Sequence, residues 1–154
     1  MKLDKPRLPV HYVDNLDALT ELITALKGLS EVALDAERAS GFRYSQRAYL
    51  IQIATQSDIY LIDTSALTEL EENWSASLAK ALNPLAWLLH AATQDLPCLA
   101  ELGLYPTRII DTELGSRLAG LERVGLGSIC LELLDLELAK EHSAADWSLR
   151  PLSE

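Results

Sequence analysis

Three apolar segments that follow one another between residues 31 and 63 constrain the fold more than any other feature of this sequence. Each has the length and the Val, Ile, Leu or Tyr content of a β-strand, and they cover Glu31–Ala36, Tyr49–Thr55 and Ile59–Asp63. Gln56–Asp58, between the last two, has the composition of a tight turn. Because strands in such quick succession pair in antiparallel order, the pattern predicts a three-stranded meander.

Helical and strand patterns alternate through the rest of the chain. We expect short strands at Trp87–His90 and Arg108–Ile110, and helices at Leu67–Leu82, Asp95–Leu102, Glu113–Leu121 and Gly125–Leu138. Another helix precedes the meander: Asp14 or Asn15 can cap it, Gly28 ends it, and its apolar face holds Leu16, Leu19, Leu22, Ile23 and Leu26. Residues 1–13 are expected to be irregular. Strands that alternate with helices predict parallel crossovers, so the fold class is α/β, with a mixed sheet and flanking helices.

Length and composition are those of one domain, which we assign to residues 1–154. Apolar residues make up 49% and charged residues 23% of the chain, which is ordinary for a globular protein. No apolar run approaches the ~20 residues that cross a bilayer, and no secretory signal is recognisable, so no membrane partner is expected. Cys98 and Cys130 have no partners at metal-binding spacing. These features favour a reducing, cytoplasmic location.

The acidic balance of the chain limits how it can meet nucleic acid. The formal net charge is −10. Non-specific nucleic-acid binding comes mostly from Lys and Arg, so a binder of the basic-patch type is excluded. Divalent ions in a cleft are often the largest local charges, and metal-dependent phosphate chemistry therefore remains open.

Asp35 and Glu37 end the first predicted strand and are separated by one small residue. Side chains two residues apart on a strand point to the same face, so the two carboxylates should stand side by side. Such a pair repels itself unless a cation lies between the groups or one of them is protonated. The spacing indicates a divalent-metal site; the alternative is a strand that ends in two solvated acids.

Two further acids follow predicted strands. Asp95 comes after Trp87–His90, and Asp111 comes directly after Arg108–Ile110. Ligands of α/β sheets bind beyond the carboxyl ends of the strands, so both acids are candidates for the rim that holds Asp35 and Glu37. Capping of the following helix is the alternative for both, and it is the favoured interpretation for Asp111.

The ordered set of these blocks resembles ribonuclease D, a branch of the DEDD 3′–5′ exonucleases, which have an RNase H-like fold. The blocks are Leu34-Asp-x-Glu37, Gln46-Arg-Ala-Tyr-Leu-Ile-Gln-Ile53, Leu61-Ile-Asp63, His90-x4-Asp95, Asp111-Thr112 and Asp146-Trp-Ser-x-Arg-Pro-Leu-Ser153. They cover almost the whole chain from Glu31 onward. Asp-x-Glu alone is a weak signal, whereas several independent blocks in order are a specific one.

The resemblance implies a site and a reaction. It places Asp35 and Glu37 on two catalytic ions, Mg²⁺ or Mn²⁺, about 3.5–4 Å apart, and Asp95 near the second ion. Gln52 would support the site, and Asp111 is not one of the family's catalytic acids. The implied substrate is the 3′ end of single-stranded RNA, with transfer RNA as the family expectation and DNA as a possible alternative.

The sequence departs from the resemblance in one motif. The family carries Tyr-x3-Asp after the Asp-Trp-x-x-Arg-Pro-Leu block, and no Tyr occurs after residue 140 here. We therefore expect an exonuclease domain that is incomplete at its C-terminus, lacks the C-terminal helix and has weak or no activity. An uncovered apolar surface would then favour a homodimer.

Other readings remain open. The first is a non-catalytic nucleic-acid-binding or scaffolding module of the same fold; the second, an all-parallel receiver-like domain, conflicts with the predicted meander. His90 is expected to be a core or supporting residue rather than a base. The basic loop of Arg38, Arg43 and Arg47 can touch substrate phosphates or be solvated. Packing is the expected role of Trp74, Trp87 and Trp147.

Overall fold

Strands and helices alternate along the chain in the computed structural model, which describes residues 1–39, 42, 44–139 and 145–151. The strands are β1 (Lys2–Leu3), β2 (Val10–Val13), β3 (Glu31–Arg38), β4 (Ala48–Ala54), β5 (Ile59–Asp63), β6 (Ala86–Leu89), β7 (Arg108–Asp111) and β8 (Glu137–Leu138). The helices are α1 (Leu16–Ala25), α2 (Thr64–Leu70), α3 (Ser75–Leu82), α4 (Leu96–Ala100), α5 (Thr112–Leu118) and α6 (Leu126–Leu134), with a 3₁₀ turn at Ala92–Gln94.

Six of the strands form one mixed sheet in the order β2-β5-β4-β3-β6-β7. β3, β4 and β5 pair in antiparallel order, which confirms the predicted meander. β6 and β7 extend the sheet on the β3 side in parallel order, and β2 lies parallel to β5 at the other edge. The α/β prediction with a mixed sheet is therefore confirmed, and the all-parallel alternative is excluded.

The hydrophobic core lies on one face of this sheet. Alternate residues of β3 (Val32, Leu34 and Ala36) are buried, while Glu31, Ala33 and Asp35 are exposed. The buried face packs against helices through a single cluster that includes Leu22, Leu67, Leu78, Trp87 and Leu99. Side chains of the β3 face opposite the core are left free to form a binding surface.

The start of α1 follows the predicted signals. Asn15 has an extended backbone, and its side-chain oxygen accepts a hydrogen bond from the Ala18 amide at 2.9 Å. Leu19 and Leu22 of the apolar face are buried. Gly28, three residues beyond the helix, has a left-handed backbone with φ +81°. Such a conformation suits glycine because it has no Cβ to clash with the backbone.

Several predicted boundaries are wrong. Residues 1–13 are not irregular, because Val10–Val13 pairs with β5 and becomes an edge strand of the sheet, and Lys2–Leu3 pairs with Glu137–Leu138. The helix expected over residues 67–82 is two helices, since the backbone of Glu71 is extended. The helix expected over 125–138 ends at Leu134, where Asp135 adopts a left-handed conformation.

Smaller shifts occur around the candidate acids. The strand expected to reach His90 ends at Leu89, and the helix expected from Asp95 is a 3₁₀ turn followed by Leu96–Ala100. The helix expected over residues 113–121 is Thr112–Leu118. Each of these changes moves a boundary without changing the order of the elements.

Cys98, Trp74 and Trp87 belong to the hydrophobic core. Cys98 is buried, which raises the pKa of its thiol to about 11, and Cys130 is half-buried; neither forms a disulfide. Trp74 and Trp87 are fully buried, as predicted. Within the described residues, no helix combines the length and the apolar character needed to cross a bilayer.

Candidate functional site

Asp35 and Glu37 share one face of β3, as the alternation of the strand predicts. Asp35 lies opposite Gln52 of β4 in the antiparallel register. The Gln52 side-chain nitrogen donates to Asp35 Oδ2 and to Glu37 Oε1, at 3.4 Å in each case. These bonds are long and therefore weak. The Gln52 amide thus spans the two carboxylates, and a strand-paired residue fixes its place.

Asp95 reaches the same face from the loop after β6. Ala91 in this loop has a left-handed backbone with φ 58°, and the 3₁₀ turn Ala92–Gln94 then leads to Asp95. Asp95 is buried, with 6% of its surface exposed, and its carboxyl group is near enough to Asp35 for the Asp35 charge to raise its pKa. It makes no side-chain cap bond to α4, so the helix-capping alternative does not describe it.

The three carboxyl groups repel one another, and two of them are shielded from water, since Glu37 is half-buried and Asp95 is buried. Burial, followed by the charges of Asp35 and Glu37, raises the pKa of Asp95 to about 7, although Arg38 opposes the shift. Burial and the Asp35 charge also raise the pKa of Glu37, again against Arg38. Clustered carboxylates with raised pKa values are typical of functional sites, because such an arrangement is costly unless a ligand compensates it.

These acids line a cleft of about 560 Å³. Its lining residues are Asp35, Ala36, Glu37, Arg38, Phe42, His90, Gln94, Asp95, Ala145 and Trp147. Among the described lining residues, Arg38 is the one with a permanent positive charge, and its guanidinium also donates to Gln46. The cleft therefore combines carboxylate oxygens, which can bind a cation, with the aromatic side chains of Phe42 and Trp147.

Asp111 lies beside the cleft rather than in its lining. Its carboxylate accepts hydrogen bonds from the Glu113 and Leu114 amides, which confirms the predicted helix cap. It also accepts from the amides of Ala91 and Ala92, at 3.2 and 2.9 Å. Burial raises the pKa of Asp111, but these four amide bonds outweigh it and lower the pKa. Asp111 thus ties the loop that carries Asp95 to the start of α5.

The basic side chains of Arg38, at the end of β3, and Arg47, just before β4, lie in different places. Arg38 reaches the cleft, whereas Arg47 stacks over the Tyr49 ring at 4.9 Å and donates to Ser65 at 3.4 Å. Arg47 is not among the residues that line the cleft. Arg43 lies outside the described residues. This geometry therefore does not favour contact between Arg47 and a substrate phosphate.

Sequence reasoning missed Trp147, which was expected to pack in the core. Its side chain is half-buried and lines the cleft. Arg150 fastens this segment to the sheet: its guanidinium donates to Asp63 through Nε at 2.5 Å and Nη2 at 2.8 Å, and to the Tyr49 carbonyl. The Asp146-Trp-Ser-x-Arg block was visible in the sequence, but only the fold shows where it lies.

The described acids of the cleft offer oxygen ligands to a divalent cation but do not enclose one. Within residues 1–39, 42, 44–139 and 145–151, no three His, Cys, Asp or Glu side chains are gathered closely enough to enclose an ion. The oxygen ligands offered by Asp35 and Glu37, with Asp95 beside them, are nevertheless those that Mg²⁺ and Mn²⁺ prefer. Their uncompensated negative charge fits a cation in chemistry, and closer approach of Asp95 would complete the set.

A larger cavity of about 720 Å³ lies elsewhere, between β1, β8 and α6. Lys2 and Glu137 are the charged residues among its described lining, and it gathers no group of acids. The chemistry of the lining residues, rather than volume, therefore identifies the cleft of Asp35 as the candidate site.

Comparisons with known proteins agree with this geometry. Residues 10–154 match the family described as 3′–5′ exonuclease. The chain is 32% identical over 147 residues to exosome complex component 10 of Rattus norvegicus, covering 95% of this chain and 16% of that protein. It is 32% identical over 151 residues to ribonuclease D of Haemophilus influenzae, covering 95% of this chain and 37% of that protein.

A solved structure shows the same fold. The chain superimposes on Escherichia coli RNase D, described as an exoribonuclease involved in structured RNA processing, with a TM-score of 0.80 and 27% identity. The superposition covers 96% of this chain and 39% of that chain, so this chain spans well under half of the relatives named here. The chain belongs to the 3′–5′ exonuclease family, and ribonuclease D and exosome complex component 10 are among the proteins to which it is similar.

Proposed function

We propose that this chain is the nuclease domain of a 3′–5′ exoribonuclease that hydrolyses phosphodiester bonds at the 3′ ends of single-stranded RNA. The observation that carries the proposal is the convergence of Asp35, Glu37 and Asp95 in one cleft of a member of this family. RNA is favoured over DNA because the relatives named above are a ribonuclease and an exosome component.

The residues of the cleft divide the chemistry between them. Asp35 and Glu37 would hold one or two Mg²⁺ or Mn²⁺ ions, with Asp95 as the third carboxylate. A bound divalent ion would lower the pKa of its water and polarise the phosphodiester. The Gln52 amide contacts both β3 carboxylates and would support their orientation toward the cleft. Arg38, the cation among the described lining residues, would contact a phosphate.

The carboxyl group of Asp95 changes its protonation state near neutral pH. Because its pKa is raised to about 7, the carboxyl group can hold a proton when no cation is present and release it when a cation arrives. We propose that hydrolysis by the 154-residue chain alone is slow, since no Tyr-x3-Asp follows residue 140 to supply the remaining acid.

Metal binding and RNA degradation, measured on the same protein, test the proposal. Mn²⁺ binding followed by electron paramagnetic resonance should be reduced at least about tenfold in Asp35→Asn, because a charged oxygen ligand is lost. The unaltered protein should shorten 5′-labelled single-stranded RNA from its 3′ end, and Asp35→Asn should not shorten it. Asp58→Asn, which changes an acid of the β4–β5 turn, is the matched control.

The outcomes separate the two functions that the fold can serve. If Asp35→Asn binds Mn²⁺ and degrades RNA as the unaltered chain does, the proposed site is wrong. If the unaltered chain binds RNA but neither binds Mn²⁺ nor shortens the strand, it is a non-catalytic nucleic-acid-binding module.

A further inference from the structure

The contacts of His90 constrain both its position in the cleft and the protonation of its ring. It follows β6 directly, is half-buried and lines the cleft. Its Nδ1 lies 3.0 Å from the Thr112 hydroxyl, and that hydroxyl lies 3.2 Å from the Leu89 carbonyl oxygen. Thr112 thus contacts both the ring of His90 and the backbone of the preceding residue.

The hydrogen bonds of Thr112 determine which ring nitrogen of His90 carries the proton. A hydroxyl has one hydrogen, and a carbonyl oxygen can only accept. Thr112 therefore donates to Leu89, and its lone pair accepts a hydrogen bond from Nδ1–H of His90. In the neutral imidazole with Nδ1 protonated, Nε2 holds a lone pair and is a hydrogen-bond acceptor. Nε2 is then the ring nitrogen left to meet a ligand in the cleft.

Hydrogen bonds also hold the backbone of the loop that carries His90. The two residues after His90 donate their backbone amides to Asp111, the neighbour of Thr112. Asp111 and Thr112 therefore fix the backbone and the tautomer of this loop together. Hydrogen bonds that fix the ring in advance reduce the ordering cost when a ligand binds.

The acceptor at Nε2 restricts the ligand group that can meet it. Phosphate oxygens are acceptors and cannot pair with it, whereas a ribose hydroxyl is a donor. We propose that His90 Nε2 accepts a hydrogen bond from a hydroxyl of the 3′-terminal ribose and so contributes to recognition of RNA ends. This inference rests on the proposed function, and it assigns His90 a binding role rather than that of a base.

The test compares oligouridylates that differ only in the last sugar: ribose, 2′-deoxyribose or 3′-deoxyribose. Affinity for the full chain is measured by fluorescence anisotropy with Ca²⁺, which also takes oxygen ligands. Removal of one of the two hydroxyls should weaken binding to the unaltered protein about two- to tenfold, the range of one net hydrogen bond. In His90→Phe that penalty should vanish, while affinity for the corresponding deoxy oligomer is retained.

A second pair of variants tests the tautomer. Thr112→Val removes the acceptor for Nδ1–H and should reduce the hydroxyl penalty, whereas Thr112→Ser keeps the hydroxyl and should restore it. His11→Phe, which changes a histidine paired with Asp58 outside the cleft, should leave the penalty unchanged. Circular dichroism verifies the fold of every variant, and the Thr112 pair decides the outcome if His90→Phe does not fold.

Three results would overturn the inference while leaving the proposed function intact. They are an unchanged hydroxyl penalty in His90→Phe, an equal loss of affinity for all three oligomers, and a penalty that depends on the terminal base instead of the sugar. If the unaltered protein binds none of the oligomers, the proposed function falls and this inference falls with it.

Discussion

Single residues of the cleft carry a charge conflict that the sequence does not reveal. Burial and the nearby charges of Asp35 and Glu37 raise the pKa of Asp95 to about 7 from a usual value of 3.8. A raised carboxyl pKa means that ionisation is costly in the folded state, so the conflict must appear in the stability of the metal-free protein.

Substitution Asp95→Asn should remove this cost without changing the shape of the side chain. The penalty is absent below pH ~4, grows as the pH rises and is complete above pH ~7, so metal-free wild type should lose stability over this range relative to Asp95→Asn. At pH 8 the difference is expected to be on the order of a few kcal/mol. Urea denaturation in EDTA across this pH range measures it.

The exposed residue Glu72 supplies the control for this experiment. Glu72→Gln removes one negative charge far from the cleft and should follow wild type at every pH. If Asp95→Asn and wild type lose stability in parallel between pH 4 and 8, Asp95 has no raised pKa and the charge conflict does not exist. Mn²⁺ should reverse the ranking, because it stabilises the ionised carboxylate of the wild type.

At the scale of elements, the junction of β5 and α2 holds the segment that carries Trp147. Asp63 caps α2 by accepting from the Ser65 and Ala66 amides, each at 3.0 Å. The same carboxylate receives two hydrogen bonds from Arg150. Burial raises the pKa of Asp63, but the Arg150 hydrogen bond and the cap bonds outweigh it and lower the pKa. One acid therefore fixes a helix start and a wall of the cleft.

A double-mutant cycle with Asp63→Asn and Arg150→Gln should measure this contact. We expect a coupling free energy of about 1–2 kcal/mol at pH 7, because the pair is charged, two-pronged and partly shielded from water. The pKa of Asp63 is lowered, so its contribution is present above the usual value near 4 and is lost as the pH falls through the folded-state value. Urea denaturation at pH 7 and at pH 3 gives both quantities.

The pair formed by Glu113 and Arg117 on α5 is the matched comparison. It joins residues four apart, and the Arg117 side chain is 61% exposed. Its coupling should be about 0.3–0.5 kcal/mol, as is usual for such surface pairs. Equal coupling in the two cycles would show that Arg150 does not hold the Trp147 segment.

At the scale of the whole molecule, net charge opposes the approach of RNA. The chain has 23 acidic and 13 basic residues. Three of the acids, Asp35, Glu37 and Asp95, line the cleft that would receive a phosphodiester, and Arg38 is the cation of its described lining. Under the proposed function, divalent ions would therefore supply most of the attraction for phosphates, and Lys and Arg would release few counterions.

The salt dependence of RNA binding should accordingly be shallow. At a fixed concentration of Ca²⁺, the logarithm of the association constant should fall with the logarithm of KCl concentration with a slope of magnitude below about 2, equivalent to fewer than roughly three neutralised phosphates on a single strand. Binding should be weak in EDTA. A steep slope that persists in EDTA would instead indicate a basic surface, and fluorescence anisotropy distinguishes the two.

The order of the central elements was predictable because local patterns encode it. The alternation of β3 places Val32 and Leu34 on the core side, and the close spacing of β3, β4 and β5 leads to a meander. β2 escaped prediction because its four residues pair with the edge of β5 and need no apolar alternation of their own. Glu137–Leu138 likewise becomes a strand only because Lys2–Leu3 lies beside it.

For the candidate site, local periodicity is enough to place Asp35 and Glu37 on one face, because a strand has a period of two residues. Tertiary structure decided the rest: Asp95 joins them through a left-handed turn held by Asp111, and Trp147 reaches the cleft through Arg150. These contacts join residues far apart in the chain. Local periodicity cannot specify them, because they arise only when separate elements pack on one sheet.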